Sequence, residues 1–121
     1  MILGLRTAIY PASDLAAAKD WYSKVLDTPP YFDEPFYVGF QVGGFELGLI
    51  PDGSTSIHGT QALWGVNDAQ ATMQKLLDLG AVSVEPVTEV GGGILVAAVQ
   101  DPFGNRFSII QNPHFSVSAV R

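Results

Sequence analysis

Thr7-Ala8-Ile9-Tyr10-Pro11-Ala12-Ser13-Asp14 and Gln61-Ala62-Leu63-Trp64-Gly65-Val66-Asn67-Asp68 follow one pattern. Each is a short apolar, β-prone run that breaks at small or polar residues and ends on an aspartate suited to cap a helix. The two aspartates are offset by 54 residues (68 − 14) in a chain of 121. So large a repeat in so short a chain predicts two copies of one supersecondary unit, neither able to bury its apolar face alone. The copies must share a core, and a pocket is expected where they meet.

Working outward, Ala18, Trp21, Tyr22 and Val25 recur at spacings of three and four, which predicts a helix over 14–26 with one buried stripe. Pro29-Pro30 forbids its continuation. Next come two alternating runs, 36–42 and 45–50, joined by Gly43-Gly44, a dipeptide that supplies positive φ at a hairpin turn. Residues 31–33, between Pro30 and Pro35, offer a short extra strand. The second copy repeats the order: a strand over 61–66, a helix over 68–79 stopped by Gly80, and strands at 82–87 and 94–100 flanking Gly91-Gly92-Gly93. The last strand, 106–111, follows the turn Asp101-Pro102-Phe103-Gly104-Asn105. The expected organisation is one domain, 1–121, with module one at about 1–52, a linker at about 51–60, module two at about 61–112 and a tail at 113–121.

Composition narrows the function classes. Twelve acidic residues against six basic ones give a net charge of −6 and argue against nucleic acid and anionic membranes, which need clustered Lys and Arg. The balance mildly favours a cationic ligand. With no cysteine, disulfides, thiolate metal sites and a Cys nucleophile are excluded. The 47% apolar share with 15% charged is greasier than average, and suggests apolar surface shared with a second subunit, hence a homodimer. Neither a secretory signal pattern nor an 18-residue apolar run is visible, so a cytoplasmic protein is expected.

The Asp-capped helix, the repeated strand-helix-three-strand order and the Asp-Pro-x-Gly-Asn turn before the last strand resemble the vicinal oxygen chelate superfamily. That superfamily includes glyoxalase I, bleomycin-resistance proteins and extradiol dioxygenases. The similarity runs from about Leu5 to Asn112. It implies an α+β fold in which two tandem βαβββ modules curl a mixed sheet into a cup, with helices packed outside and the binding cavity between the half-cups. Metal-dependent members carry ligands on the first and last strands of each module, at positions that correspond here to Thr7, Glu46, Gln61 and Ser108.

Strand alternation turns the same residues inward: Thr7 and Ile9; Glu46, Gly48 and Ile50; Gln61, Leu63 and Gly65; Arg106, Ser108 and Ile110. One carboxylate, one amide and two hydroxyls, without a histidine, make a poor catalytic metal site, so no cofactor is expected. Any weak site would rest on Glu46 and Gln61. Glu46 reads as a cation-binding carboxylate or a general base, or alternatively as a partner of Arg106 across the cavity. Thr7, Gln61 and Ser108 would orient a small molecule by hydrogen bonds, or else bond one another or water. Tyr37 and Gln41 would line the cavity mouth, with Phe36, Val38, Phe40 and Val42 on the opposite face. Trp21, Trp64 and Met73 fall on core faces. His58 in the linker and His114 in the tail match no ligand position.

The expected ligand-binding set is therefore Thr7, Tyr37, Glu46, Gln61, Leu63, Arg106 and Ser108. The leading expectation is a metal-free protein similar to bleomycin-resistance proteins, sequestering a cationic or amphipathic compound at a dimer interface. Second stands a lyase, isomerase or dioxygenase of the same superfamily, metal-dependent or using Glu46 as its acid-base group. A scaffold with a filled cavity is third.

Overall fold

Both repeat aspartates cap helices. The Asp14 carboxylate accepts a hydrogen bond from the Ala17 amide at 3.0 Å, and Asp68 does the same for Ala71 at 3.0 Å. Each satisfies a backbone donor that the first helical turn leaves free, a contribution of about 1 kcal/mol. The computed structural model describes residues 7–57, 61–115 and 118, and in it these caps open α1 (Leu15–Leu26) and α2 (Ala69–Asp78). Asp27, in the left-handed region at φ 52°, ends α1 two residues before Pro29. Gly80, at φ 97°, does the same just beyond α2.

Module one contributes β1 (Thr7–Pro11), β2 (Phe32–Glu34), β3 (Tyr37–Val42) and β4 (Phe45–Ile50). Module two contributes β5 (Leu63–Gly65), β6 (Val82–Glu89), β7 (Leu95–Gln100) and β8 (Arg106–Gln111). The sheets have matching orders, β1-β4-β3-β2 and β5-β8-β7-β6. In each the first strand runs parallel to the last and the other pairs are antiparallel. The result is two tandem βαβββ units with mixed sheets, and neither sheet closes on itself.

Alternation sets the faces. Tyr10, Val38, Phe40, Leu47 and Leu49 in one sheet, and Val99, Phe107 and Ile109 in the other, are buried in a single core. Ala18, Trp21 and Tyr22 from α1 join it, with Ala69, Met73 and Leu76 from α2. Helix α1 packs on β3 and β4, and α2 on β6, β7 and β8. Trp21 and Met73 are thus core residues, and Trp64 packs against the same cluster.

Polar contacts sew the modules together across this core. The Tyr22 hydroxyl donates to Asp101 at 2.6 Å, the Trp21 indole to the Leu79 carbonyl at 2.8 Å, and the Asn105 amide to the Pro11 carbonyl. Asp101 also accepts from the Phe103 and Asn105 amides at 2.9 and 2.8 Å, which makes the predicted turn a rigid loop. Tyr10 and Trp64, which occupy equivalent places in the repeat, meet directly, the indole donating to the phenol at 3.4 Å.

Two elements differ most from their predicted bounds. The first strand of module two spans Leu63–Gly65 instead of 61–66, because β5 is an edge strand paired only with β8, from Leu63 opposite Ser108 onward. Gln61 therefore precedes the strand, and its side chain meets Arg106. Strand β6 runs on to Glu89 with two register shifts, and Pro86 is tolerated because β6 is a sheet edge. The glycine run Gly91-Gly92-Gly93, all at positive φ, closes the β6–β7 hairpin, and the exposed His114 ring hydrogen-bonds the Gly92 carbonyl at 2.8 Å. His58 lies outside the described residues.

Candidate functional site

Gly39 and Gly48 lie opposite each other in the β3–β4 register. Neither has a positive φ; what they supply is space. A Cβ on Gly39 would come 3.1 Å from a Glu46 oxygen and 3.2 Å from both the Tyr31 and Tyr37 rings, while one on Gly48 would overlap the Tyr37 ring. The two glycines thus let the Tyr37 ring lie close over the sheet, with its hydroxyl donating to Glu46 Oε2 at 2.7 Å. The Tyr31 hydroxyl donates to the other oxygen, Oε1. Tyr31 itself is anchored by its amide, which donates to the Gly39 carbonyl at 2.9 Å.

Tyr31, Phe32, Phe36, Tyr37 and Glu46 wall an open cleft of about 380 Å³, within the range of small-molecule sites. Its rings meet at angles: Phe32 lies edge-on to Phe36 at 6.1 Å and to Tyr37 at 6.0 Å. Burial, then the neighbouring carboxylate, pushes the Tyr37 phenol far above its usual pKa. The hydrogen bond to Glu46 raises that of Tyr31. Both phenols therefore act as donors and Glu46 as their acceptor.

In one chain, this cleft is built entirely from module one rather than lying between modules. Of the predicted set, only Tyr37 and Glu46 line it. Thr7 is exposed on β1, in register with Glu46, and Leu63 on β5 is 52% exposed. Gln61, Arg106 and Ser108 form a separate cluster on module two. Arg106 does not reach across to Glu46: its Nη2 pairs with Glu85 at 3.0 Å, and its Nε donates to the buried Ser108 hydroxyl at 3.1 Å. With the Gln61 amide oxygen turned toward the guanidinium, it accepts from Nε at 3.0 Å and Nη2 at 3.2 Å. The reason is topological, since Glu85 and Arg106 flank β7 within one sheet and Glu46 belongs to the other.

Three cleft residues, Tyr31, Phe32 and Phe36, lie outside the ligand-binding set expected from the sequence. Phe36 was expected on the helix-covered face of a strand, but Pro35 delays β3 to Tyr37, and Phe36 stays in the preceding turn, 66% exposed. A signal was present: four aromatic residues fall within 31–37, a stretch that follows Pro30 and contains Pro35, where no helix can bury them.

A family model described as the Glyoxalase/Bleomycin resistance protein/Dioxygenase superfamily matches residues 4–109. The chain belongs to this superfamily. Solved members share the fold. A glyoxalase-related enzyme from Fulvimarina pelagi superposes with a TM-score of 0.78 at 20% identity, covering 98% of this chain and 95% of that one. A lactoylglutathione lyase from Agrobacterium tumefaciens gives 0.77 at 17% identity, covering 96% and 100%. A glyoxalase/bleomycin resistance protein from Albidiferax ferrireducens T118 gives 0.74 at 15%, covering 90% and 98%. At these identities the likeness establishes the fold alone, and no curated protein matches the chain by sequence.

Some members of the superfamily hold a catalytic metal, and the residues at the corresponding positions here are already committed elsewhere or poorly suited to one. Both Glu46 oxygens already accept phenol protons, Thr7 offers a neutral hydroxyl, and Gln61 and Ser108 face a guanidinium that would repel a second cation. Among the described residues no three His, Cys, Asp or Glu side chains converge. This donor set does not fit a divalent metal. No helix among the described residues is long and apolar enough to cross a membrane.

Proposed function

We propose that this member of the glyoxalase superfamily is a small-molecule-binding protein that takes up a cationic or amphipathic organic compound without a metal. The observation that carries the reading is the cleft of about 380 Å³ whose walls are four aromatic rings and one carboxylate. Mostly apolar walls with one fixed charged group are what hold and orient a small ligand. The net charge of −6 draws cations toward the molecule. A cytoplasmic homodimer is part of the proposal: Ile9 and Leu63, on the inward-facing sides of the two first strands, are 45% and 52% exposed in one chain, apolar surface that a second subunit would cover.

The test is calorimetric titration of the purified protein, without added metal, against a panel of cationic, neutral and anionic amphipathic compounds. Saturable binding of a cationic member, weakened in Glu46→Gln and Tyr37→Ala, is the expected result. Turnover of a bound compound, or affinity unchanged in both variants, would refute binding at this cleft as the function.

A further inference from the structure

Resting on that reading, we infer that the head group this cleft selects is an N-alkylated ammonium, tertiary or quaternary, rather than a primary amine or a neutral group of the same shape. A primary ammonium presents three N–H donors that lose water on entry and need acceptors. Among the described residues, the only carboxylate lining the cleft is Glu46, and each of its oxygens already accepts a phenol proton, from Tyr31 and from Tyr37. The negative charge remains, while much of its hydrogen-bonding capacity is spent inside the protein. A quaternary ammonium asks for charge and apolar contact without acceptors, a tertiary one for a single acceptor, and both are more weakly hydrated than a primary ammonium.

Ring geometry agrees. Phe32 stands at 67° to both Phe36 and Tyr37, so the walls form a corner instead of a flat platform. A rounded cationic head touches two ring surfaces at once in such a corner, whereas a planar ligand would use only one. Each phenol that donates to the carboxylate gains electron density in its ring, which strengthens its attraction for a cation. The rings supply the apolar contact and the quadrupole, and Glu46 supplies a charge fixed at their base.

The experiment compares three probes: choline, its neutral carbon isostere 3,3-dimethylbutan-1-ol, and ethanolamine, the primary amine that lacks choline's three methyl groups. Binding is followed by NMR, through the upfield ring-current shift of the probe's methyl or methylene protons and the shifts of the cleft's aromatic protons. Choline is expected to bind about tenfold or more tightly than either competitor. Glu46→Gln, which keeps the side chain's size, should remove that preference while leaving the isostere unchanged. Phe36→Leu, at an exposed position outside any strand, should weaken choline more than the isostere. A protein spectrum matching wild type establishes that each variant is folded. Equal binding of the isostere would overturn the inference in favour of an apolar cleft, and equal binding of ethanolamine would overturn it in favour of an ordinary ion pair. Absence of choline binding alongside binding of another compound from the calorimetric panel would also refute it, yet leave the proposed function standing. Silence from all three probes and the whole panel would refute both.

Discussion

Gly48→Ala separates stability from binding. In a strand the added methyl should stabilise by ~0.5–1 kcal/mol, since glycine loses more freedom on folding. Here, however, the new Cβ would lie 2.6 Å from Tyr37 Cζ and 2.9 Å from its Cε2, distances that real Cβ atoms do not tolerate. The tip of a half-buried tyrosine can swing outward, so the chain should still fold. What it gives up is the 2.7 Å bond to Glu46. A hydrogen bond to a charged group contributes about 1.5–3 kcal/mol, reduced here by solvent exposure to about 1–1.5. The net change in folding free energy should be a loss of only about 0–1 kcal/mol, while the cleft loses a wall. In a Tyr37→Ala background nothing obstructs the methyl, and Gly48→Ala should stabilise by ~0.5–1 kcal/mol. The coupling between the two sites should therefore be about 1–1.5 kcal/mol. Urea unfolding of the four proteins, followed by tryptophan fluorescence, measures it. Effects that add to within about 0.3 kcal/mol would refute the close packing of Tyr37 over Gly48.

The remaining predictions concern ionisation. All four tyrosines, 10, 22, 31 and 37, have pKa values raised above 10.0, so the folded protein should show little tyrosinate absorbance at pH 10. Because these phenols hold protons more tightly when folded than unfolded, their contribution to stability is full below pH 10 and is lost as pH rises through the folded values. In Glu46→Gln, Tyr31, raised chiefly by that carboxylate, should titrate closer to 10, while Tyr37 stays high through burial; half-ionised tyrosines at pH 10 in a still-folded wild type would contradict this. Tyr22→Phe removes the 2.6 Å bond to buried Asp101 and should cost about 1.5–3 kcal/mol at neutral pH. Burial already holds the Asp101 carboxyl above its usual range, and the lost bond, which lowers it, would let it climb further. The Tyr22→Phe penalty should therefore shrink as pH falls through that raised value, and a penalty constant down to acid pH would argue against the pair.

The architecture was legible because its signals are local and occur twice. A capping aspartate, the helical stripe through Trp21 and Tyr22 and the Gly43-Gly44 hairpin each act within a few residues, and the repeat says which pieces correspond. The inward parity of Glu46 and Gly48 followed from alternation alone. The cleft was harder, since its walls come from an irregular segment. Tyr31 and Phe36 owe their positions to turns around Pro30 and Pro35, where no periodicity operates. The alternative that paired Arg106 with Glu46 fails for a related reason: alternation tells which face a side chain takes, whereas its partner depends on which strands are neighbours in the sheet. Glu85 and Arg106 flank β7, while Glu46 belongs to the other sheet.

The meeting of Tyr10 with Trp64 makes the duplication directional. Were the two modules identical, this point would set a side chain against its own copy. Two indoles would offer two donors and no acceptor, because an indole nitrogen only donates. A phenol can accept what an indole gives, so the unlike pair closes a bond that two tryptophans could not. The second half therefore carries a reason to choose the first over a second copy of itself, and the fold's near-symmetry has acquired a head and a tail.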